Sequence, residues 1–452
     1  MIFSIIQKSQ LEGTLRLDAE FYHPEKMKAI EKLLELGISK VSENFKNVKE
    51  IFSPVRHQLT TKPASLFDLS DVSFFLLDEG KKVNDSSEIG SVKKIFRQND
   101  VLISRLRPYL KEVTFVGFDN TQKLASTEFI VLRRKKDSKF SPQVLFAFLI
   151  TDEIQKILFW SQGGTEHPRF PEELLLDLNF PKLSKKDTGS IINNVNSAYR
   201  SYFSSKSLYQ QAEDLFLEEL GLKDFQLGDD LSYVVNFSDT ESASRLDAEY
   251  FQPRYERIKS KVRNFEFKKL GDIVSIKKGI EPGSEIYQEE GIPFVRVSNI
   301  SKSGIKDDNQ QYLSQEDYNR FKDNFEPKAG EILLTKDATP GIAYYLDDQM
   351  KGIISGGILR LKTKIEIKPE YLVLTINSIV GQMQAEQDTG GSIIVHWRPE
   401  QINDILIPIL PKPTQQKIAD LVRQSHAARQ KAKQLLEQAK QKVEDLIEKG
   451  NK

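Results

Sequence analysis

The sequence has 452 residues and a mass of 51.8 kDa, a length that predicts two to four domains. Hydrophobic residues make up 39% and aromatic residues 10%, enough for packed cores, which excludes a disordered or collagen-like chain. The absence of cysteine excludes disulfides, thiolate metal sites and cysteine nucleophiles. Lys and Arg number 65 and so do Asp and Glu; this zero net charge, taken as a total, argues against a nucleic-acid partner.

The first residues, MIFSIIQKSQLEG, contain no basic segment followed by an apolar segment of signal-peptide length. No window approaches ~18 apolar residues, the length that a membrane-spanning helix needs. We therefore expect a cytoplasmic protein without a membrane span.

The two halves of the sequence repeat one another. RLDAEFY occupies 16–22 and RLDAEYF occupies 245–251, an offset of 245 − 16 = 229 residues. Three further echoes follow in the same order: a short apolar strand and charged loop (101–111 and 332–340), a glycine pair running on to an apolar segment and a proline (163–181 and 390–408), and a long helical stretch. Four echoes at a nearly constant offset predict a duplicated chain.

Both helical stretches have apolar or small residues at alternating spacings of three and four, the pattern of a coiled-coil seam. The predicted seam residues are Ile191, Val195, Ala198, Tyr202, Ser205, Tyr209, Ala212 and Phe216 in the first, and Ile418, Leu421, Ser425, Ala428, Ala432, Leu435, Ala439 and Leu446 in the second. The same pattern is compatible with two independent helices, each packed on its own domain.

The predicted fold class is α+β: two tandem mixed α/β domains joined by two long helices that pack on one another. The predicted segments are an N-terminal segment (1–40), a first globular domain (41–185), a first long helix (186–222), a linker with the second RLDAE segment (223–264), a second globular domain (265–412) and a second long helix (413–452). A family resemblance, given below, implies that the globular domains are recognition domains and that the helices form an antiparallel coiled coil with pseudo-two-fold symmetry.

The sequence contains no recognisable catalytic motif. It has no P-loop, no G-x-G-x-x-G after a strand, no H-E-x-x-H and no G-x-S-x-G. Asp71, Glu79 and Lys81 loosely imitate a nuclease pattern, but a solvated loop is a better interpretation of so degenerate a signal. We therefore expect a binding protein, with no catalytic residue, metal or cofactor on this chain.

Local charge is more informative than the total. Six cations and one acid lie between 93 and 111, a local charge of 6 − 1 = +5. Arg, Lys, Tyr, Ser, Thr and His side chains can contact bases or phosphates. The candidate DNA-binding residues are Arg105, Arg107, Tyr109 and Lys111 in the first half, and Lys277, Arg296, Lys336, Thr339, Ser392, His396 and Arg398 in the second. Ordinary solvated surface remains the alternative for each of them.

Several stretches resemble the specificity subunit of type I restriction–modification enzymes. The most specific is IPILP (407–411) running into TQQKIA (414–419); LGDIVSIKKG (270–279), IPFVRVSNI (292–300), GEILLTKDATPGIAYY (330–345) and both RLDAE segments are similar too. The first half departs more, since ISRLRPYLKEV (103–113) replaces a glycine-containing loop and LSKKDTGS (183–190) lacks the glutamine.

The resemblance implies that each half reads one part of a split double-stranded DNA site and that the long helices fix the gap between the parts. It also implies docking of two adenine-N6 methyltransferase subunits, which carry S-adenosylmethionine, and optional joining of restriction/translocase subunits. Two alternatives stay open: a duplicated DNA-binding adapter for another effector, such as a nuclease-only defence system, and a divergent nuclease using Asp71, Glu79 and Lys81.

Overall fold

The computed structural model describes residues 4–7, 11, 16–78, 80–117, 121–228, 230–306, 309–389 and 396–449, with Lys449 described by its backbone alone. The chain forms two compact units. The first unit comprises Met1–Phe203 and Gln430–Lys452, and the second comprises Ser204–Arg429. Each long helix therefore contributes one part to each unit.

Each unit is built around a four-stranded antiparallel main sheet with the same strand order. The first main sheet has the order Phe45–Asn47, Phe129–Arg134, Val101–Ser104, Val113–Phe115. The second main sheet has the order Val274–Lys278, Ile358–Thr363, Ile332–Thr335, Ala343–Tyr345. The repeat seen in the sequence is therefore also a repeat of sheet topology.

The central strands of these sheets are buried on both faces. Val101 and Ile103 belong to the large core beneath the helices, whereas Leu102 belongs to a core on the opposite face. Leu333 likewise lies on the face opposite Ile332 and Leu334 in the second unit. A strand covered on both faces needs a continuous apolar run, and this explains the unbroken apolar strands that the sequence predicts.

A smaller sheet lies beside each main sheet. In the first unit its order is Ile51–Phe52, Lys93–Phe96, Lys123–Ala125, Ala64–Phe67, Lys81–Val83, and in the second it is Gln311–Leu313, Ile292–Val295, Ile353–Ile354. Each contains one parallel pair of strands.

A two-stranded sheet joins an early strand of each unit to a late one: Gly37–Lys40 pairs with Asn179–Pro181, and Phe267–Lys269 pairs with Leu406–Pro408. Two short hairpins complete the strands: Val72–Ser73 with Leu76–Leu77, and Ile300–Ser301 with Gly304–Ile305.

Each unit also contains shorter helices, most of which pack in its large core; Gln315–Phe325 instead packs on the smaller sheet of the second unit, and Phe237–Ala243 buries none of its residues. In the first unit they are Pro24–Leu36, Val41–Asn44, Pro142–Leu149, Asp152–Phe159 and Glu172–Asp177. In the second they are Phe237–Ala243, Pro253–Arg263, Leu270–Ile273, Gln315–Phe325, Pro369–Asn377, Ile379–Thr389 and Pro399–Asn403. Proline occupies the first position of five of these helices, where its missing N–H would lack an intrahelical partner anyway.

The long helices run over Lys185–Glu219 and Lys412–Lys449. Their 35 and 38 residues correspond to about 52 and 57 Å. In the first unit, the beginning of the first helix and the end of the second share one core. In the second unit, the Ser425 hydroxyl donates to the Ser205 carbonyl at 2.7 Å. The helices are therefore antiparallel, and the predicted fold class of tandem α/β domains with paired long helices is confirmed.

The seam of the second long helix differs from its prediction at alternate positions. Ile418, Ser425, Ala432 and Ala439 are buried as predicted, whereas Leu421 and Leu435 are only partly buried. Val422 and Leu436, one residue later, are buried instead. Ile447 is buried one residue after the predicted Leu446, and Val443 is buried at a position that the prediction skipped. This helix carries a wide apolar stripe because it packs on the globular core as well as on its partner helix, and periodicity alone does not reveal which edge of such a stripe is buried deepest.

Ala439 offers a test of this close helix packing, since it is completely buried in the core of the first unit. We expect Ala439→Leu to lower the free energy of unfolding by about 1–3 kcal/mol because the added carbons have no space. Gln438→Leu, at the exposed neighbouring position, should change it by less than about 0.5 kcal/mol. Urea denaturation of both variants measures the difference; equal stabilities would contradict tight packing at this seam.

Candidate nucleic-acid interface

In each unit, the loop that leaves a central strand of the main sheet meets the loop that follows the glycine pair. We name these the first strand loop (105–112) and first glycine loop (161–170), and the second strand loop (336–341) and second glycine loop (388–398). The second glycine loop is described for 388–389 and 396–398 only. Ser392, one of the predicted DNA-binding residues, and the glycine pair at 390–391 lie outside the described residues.

Equivalent backbone hydrogen bonds join the two loops of each unit. The Phe170 N–H donates to the Arg105 carbonyl at 3.2 Å, and the Trp397 N–H donates to the Lys336 carbonyl at 2.9 Å. Phe170 and Trp397 are both buried, so each glycine loop is anchored by an aromatic side chain. Arg105 and Lys336 thus occupy matching positions, at an offset of 231 residues.

The first of the predicted cations, Arg105, is already engaged by acids of its own unit. Its Nε lies 3.0 Å from a Glu128 carboxylate oxygen, and its Nη1 lies 3.9 Å from Glu172. Arg169, from the glycine loop, contacts the same Glu128 at 2.7 Å. Hydrogen bonds from Arg169 and Arg105 hold the pKa of Glu128 below its ordinary value, so this carboxylate stays charged. Much of the positive charge of Arg105 is therefore offset within the protein.

Arg107, in contrast, lies between the loops, and among the described residues no carboxylate is at hydrogen-bond distance from it. Its backbone N–H donates to the Pro168 carbonyl at 2.7 Å, and its Nη2 lies 3.5 Å from His167 Nδ1. The backbone is left-handed at Arg107 (φ +48°) and at Lys111 (φ +54°), which fixes the bend of the loop. Tyr109 is 48% exposed and Lys111 is exposed. The outer edge of the first strand loop therefore combines two cations with an aromatic ring.

In the second unit, the acid where the two loops meet is Asp337, which lies between Lys336 and His396. The Lys336 ammonium lies 2.5 Å from Asp337, and His396 Nδ1 lies 2.8 Å from the other oxygen of this carboxylate. Burial raises the pKa of Asp337, but hydrogen bonds from Lys336 and His396 outweigh it and keep the pKa below its ordinary value. Thr339 is exposed on the strand loop, and Arg398 is exposed after His396.

The remaining two predicted residues differ in their positions. Arg296 lies near the second strand loop because Val297 and Asp337 both approach Gly357; a Cβ atom there would meet the Val297 side chain at 2.7 Å. Arg296 donates to the Asn309 carbonyl at 2.6 Å. Lys277 is exposed within the main sheet, opposite Arg360 in register, two residues before the edge at which the loops lie. The structure does not bring Lys277 to the loops.

Residue-by-residue sequence reasoning missed His167, Arg169 and Glu128. His167 is not among the residues proposed from the sequence, although its offset from His396 is 396 − 167 = 229, the same as that of the RLDAE segments. Applying the repeat offset to His396 would have identified it. Glu128 had no comparable signal, since its role depends on contacts with residues 23 and 41 positions away.

Two residues of the nuclease-like pattern lie among the described residues. Asp71 accepts a hydrogen bond from the Asp68 N–H at 2.7 Å, and Lys81 begins an exposed strand, whereas Glu79 lies outside the described residues. Over the described ranges, no three His, Asp or Glu side chains are grouped so that they could hold a metal ion. No helix in the same ranges is long and apolar enough to cross a membrane.

Fold and loops together define a duplicated binding protein with one pair of polar loops in each unit. Residues 263–441 match the model of the type I restriction modification DNA specificity domain. The resemblance to type I specificity subunits stated from the sequence is therefore confirmed for this part of the chain. No curated protein matches the chain.

Solved structures that align with most of this chain are also known. One belongs to a study of complex assembly and conformational transition in a type I R-M system (16% identity, 90% of this chain and 96% of that chain, TM-score 0.32). Others are the HsdS subunit from Thermoanaerobacter tengcongensis (15%, 92% and 96%, TM-score 0.31) and a type I S subunit from M. genitalium (14%, 91% and 94%, TM-score 0.42). At these identities and TM-scores, residue roles in this chain are assigned from its own geometry.

Proposed function

We propose that the chain is a non-catalytic specificity subunit that reads a bipartite double-stranded DNA site, one part with each unit. The observation that supports this most directly is the repeated meeting of a strand loop and a glycine loop. The exposed polar side chains there include Tyr109, Lys111 and His167 in the first unit and Thr339, His396 and Arg398 in the second. Two similar loop pairs with different side chains are suited to two different short sequences, since base edges are read by side-chain donors and acceptors.

The cations of these loops have two distinct tasks in this proposal. Arg107, Lys111, His396 and Arg398 are placed to contact phosphates or bases. Arg105, Arg169 and Lys336 are paired with Glu128 or Asp337, and they shape the loops. The zero net charge is compatible with DNA binding because some of the acids that balance it, such as Glu128 and Asp337, pair with cations of the loops and hold them in place.

We infer the partner subunits from the family resemblance. Two adenine-N6 methyltransferase subunits, carrying S-adenosylmethionine, would dock on the duplicated chain, and restriction/translocase subunits could join them. The paired long helices would set the spacing between the two parts of the site, in the cytoplasm where the DNA lies.

Methylome sequencing of cells that contain the partner methyltransferase tests this proposal. We expect a methylated bipartite sequence that disappears when the gene is deleted. Exchange of residues 41–185 for another recognition domain should change one part of the sequence and leave the other part as it was. An unchanged methylome after deletion would contradict the proposed function and favour an adapter for a different effector; a change in both parts would contradict the assignment of one part to each unit.

A further inference from the structure

The two RLDAE segments form the same ion pair in both units. Arg16 donates to the Asp18 carboxylate at 2.8 and 2.5 Å, and Arg245 donates to Asp247 at 2.7 and 2.6 Å. An aromatic ring lies beside each guanidinium: Arg16 is 4.4 Å from the centre of the Phe21 ring, and Arg245 is 4.7 Å from that of Tyr250. A forked pair stacked on a ring holds an arginine in one orientation.

The remaining N–H groups of both arginines point to the entrance of the glycine loop in their own unit. Arg16 donates to the carbonyls of Ser161 and Gln162, each at 3.3 Å. Arg245 donates to the carbonyl of Asp388 at 3.1 Å. Ser161 and Gln162 lie 145 and 146 residues from Arg16, and Asp388 lies 143 residues from Arg245. In both units the contacted carbonyls lie within two residues before a glycine pair.

The helix after each RLDAE segment supports the same entrance. His23, which precedes the helix Pro24–Leu36, stacks on Trp160 with ring centres 3.7 Å apart. In the second unit, Arg254 at the start of Pro253–Arg263 lies 2.5 Å from Glu386. In both units the partner belongs to the segment that leads into the glycine loop.

Gly163 lies directly beside Arg16. A Cβ atom at this position would lie 3.4 Å from Arg16 Nη1, which is ordinary van der Waals contact. The side chains of the glycine loop differ between the halves, and so do the acids at the loops, Glu128 and Asp337. The arginine, its aspartate and the contacted backbone carbonyls recur. A contact to a backbone carbonyl is independent of the side chain that the loop carries at that position, so it can be retained while the recognition residues change.

We propose that Arg16 and Arg245 are positioning residues for DNA specificity: each holds the entrance of its own glycine loop, and thereby aims His167, or His396 and Arg398, at one part of the site. This inference rests on the proposed function. It goes further in assigning the specificity of each part to a residue far from the loops in sequence.

The test uses the full chain in complex with its methyltransferase, with the variants Arg16→Gln and Arg245→Gln. Arg16→Gln should reduce discrimination by about tenfold, the size of one base contact, in only that part of the site read by the first unit. Arg245→Gln should do the same for the other part. Asp247→Asn should reproduce the effect of Arg245→Gln because it releases the same guanidinium. Arg97→Gln, which removes an exposed pair with Glu50, is the matched control and should change neither part.

Hydrogen exchange of the same purified chains gives a readout that needs no DNA. Arg16→Gln should speed exchange of the amides in 161–170 and leave those in 396–401 as they are, with little change in melting temperature. Unchanged exchange in 161–170 would overturn the positioning role whatever the DNA result. Loss of both parts of the site together with a large fall in melting temperature would also overturn it, since the role would then be general stability. If the unaltered complex marks no bipartite site, the proposed function fails, and the exchange experiment still decides the contact.

Discussion

Replacement of Arg107 by alanine is expected to weaken DNA binding by the complex by about 1–3 kcal/mol, or roughly 5- to 150-fold, and to relax specificity at one position. Arg107 lies where the first strand loop meets the first glycine loop, and its neighbour there is His167 rather than a carboxylate. Its charge is therefore available to a phosphate or a guanine edge. The fold should survive, because the backbone N–H that joins the two loops remains and alanine keeps the same Cβ.

Two comparisons sharpen this prediction. Arg105→Ala should weaken binding less than Arg107→Ala, since Arg105 is paired with Glu128 and Arg169 would continue to hold that carboxylate. Arg200→Ala removes the same charge from an exposed position on the first long helix and should leave binding unchanged. Fluorescence anisotropy at constant salt measures all three, since phosphate contacts depend strongly on salt. Equal affinity of Arg107→Ala and the unaltered protein would show that this loop does not face DNA.

Replacement of Arg133 by alanine should lower the free energy of unfolding by about 3–5 kcal/mol. Asp100 is almost fully buried at the start of the central strand, and Arg133 holds both of its oxygens, at 2.8 and 2.7 Å. Removing the guanidinium leaves a buried carboxylate with only the Arg97 N–H as a described hydrogen-bond donor. An uncompensated buried charge is one of the few causes of so large a loss.

The control for this pair lies next to it. Arg97 contacts Glu50 at 3.0 Å, but both side chains are largely in solvent, so Arg97→Ala should cost less than about 1 kcal/mol. Urea unfolding of both variants gives the comparison. Similar small losses would mean that Asp100 is hydrated or protonated rather than charged and paired. The second unit repeats the arrangement with Glu331 and Arg360, whose closest atoms are 3.6 Å apart.

Strands and helices that depend on a local apolar pattern could be predicted from the sequence. The strands at 101–104 and 332–335 and both long helices are found where the apolar pattern places them. The apolar stretch 353–361 forms two strands of different sheets, Ile353–Ile354 and Ile358–Thr363, because Ser355, Gly356 and Gly357 turn the chain between them. The predicted linker (223–264) contains the helices Phe237–Ala243 and Pro253–Arg263.

By itself, the sequence determined the duplication, the order of its parts and the resemblance of its second half to a known family model, since each of these is a pattern along the chain. Only the tertiary structure decided which cations are available to a ligand. Arg105 and Arg107 look alike in the sequence, yet Glu128 neutralises one and not the other. The tertiary structure also revealed that Arg16 holds a loop 145 residues away. Such partners are set by where strands and helices cross in space, and electrostatic contacts act over a few ångströms regardless of the length of chain between them.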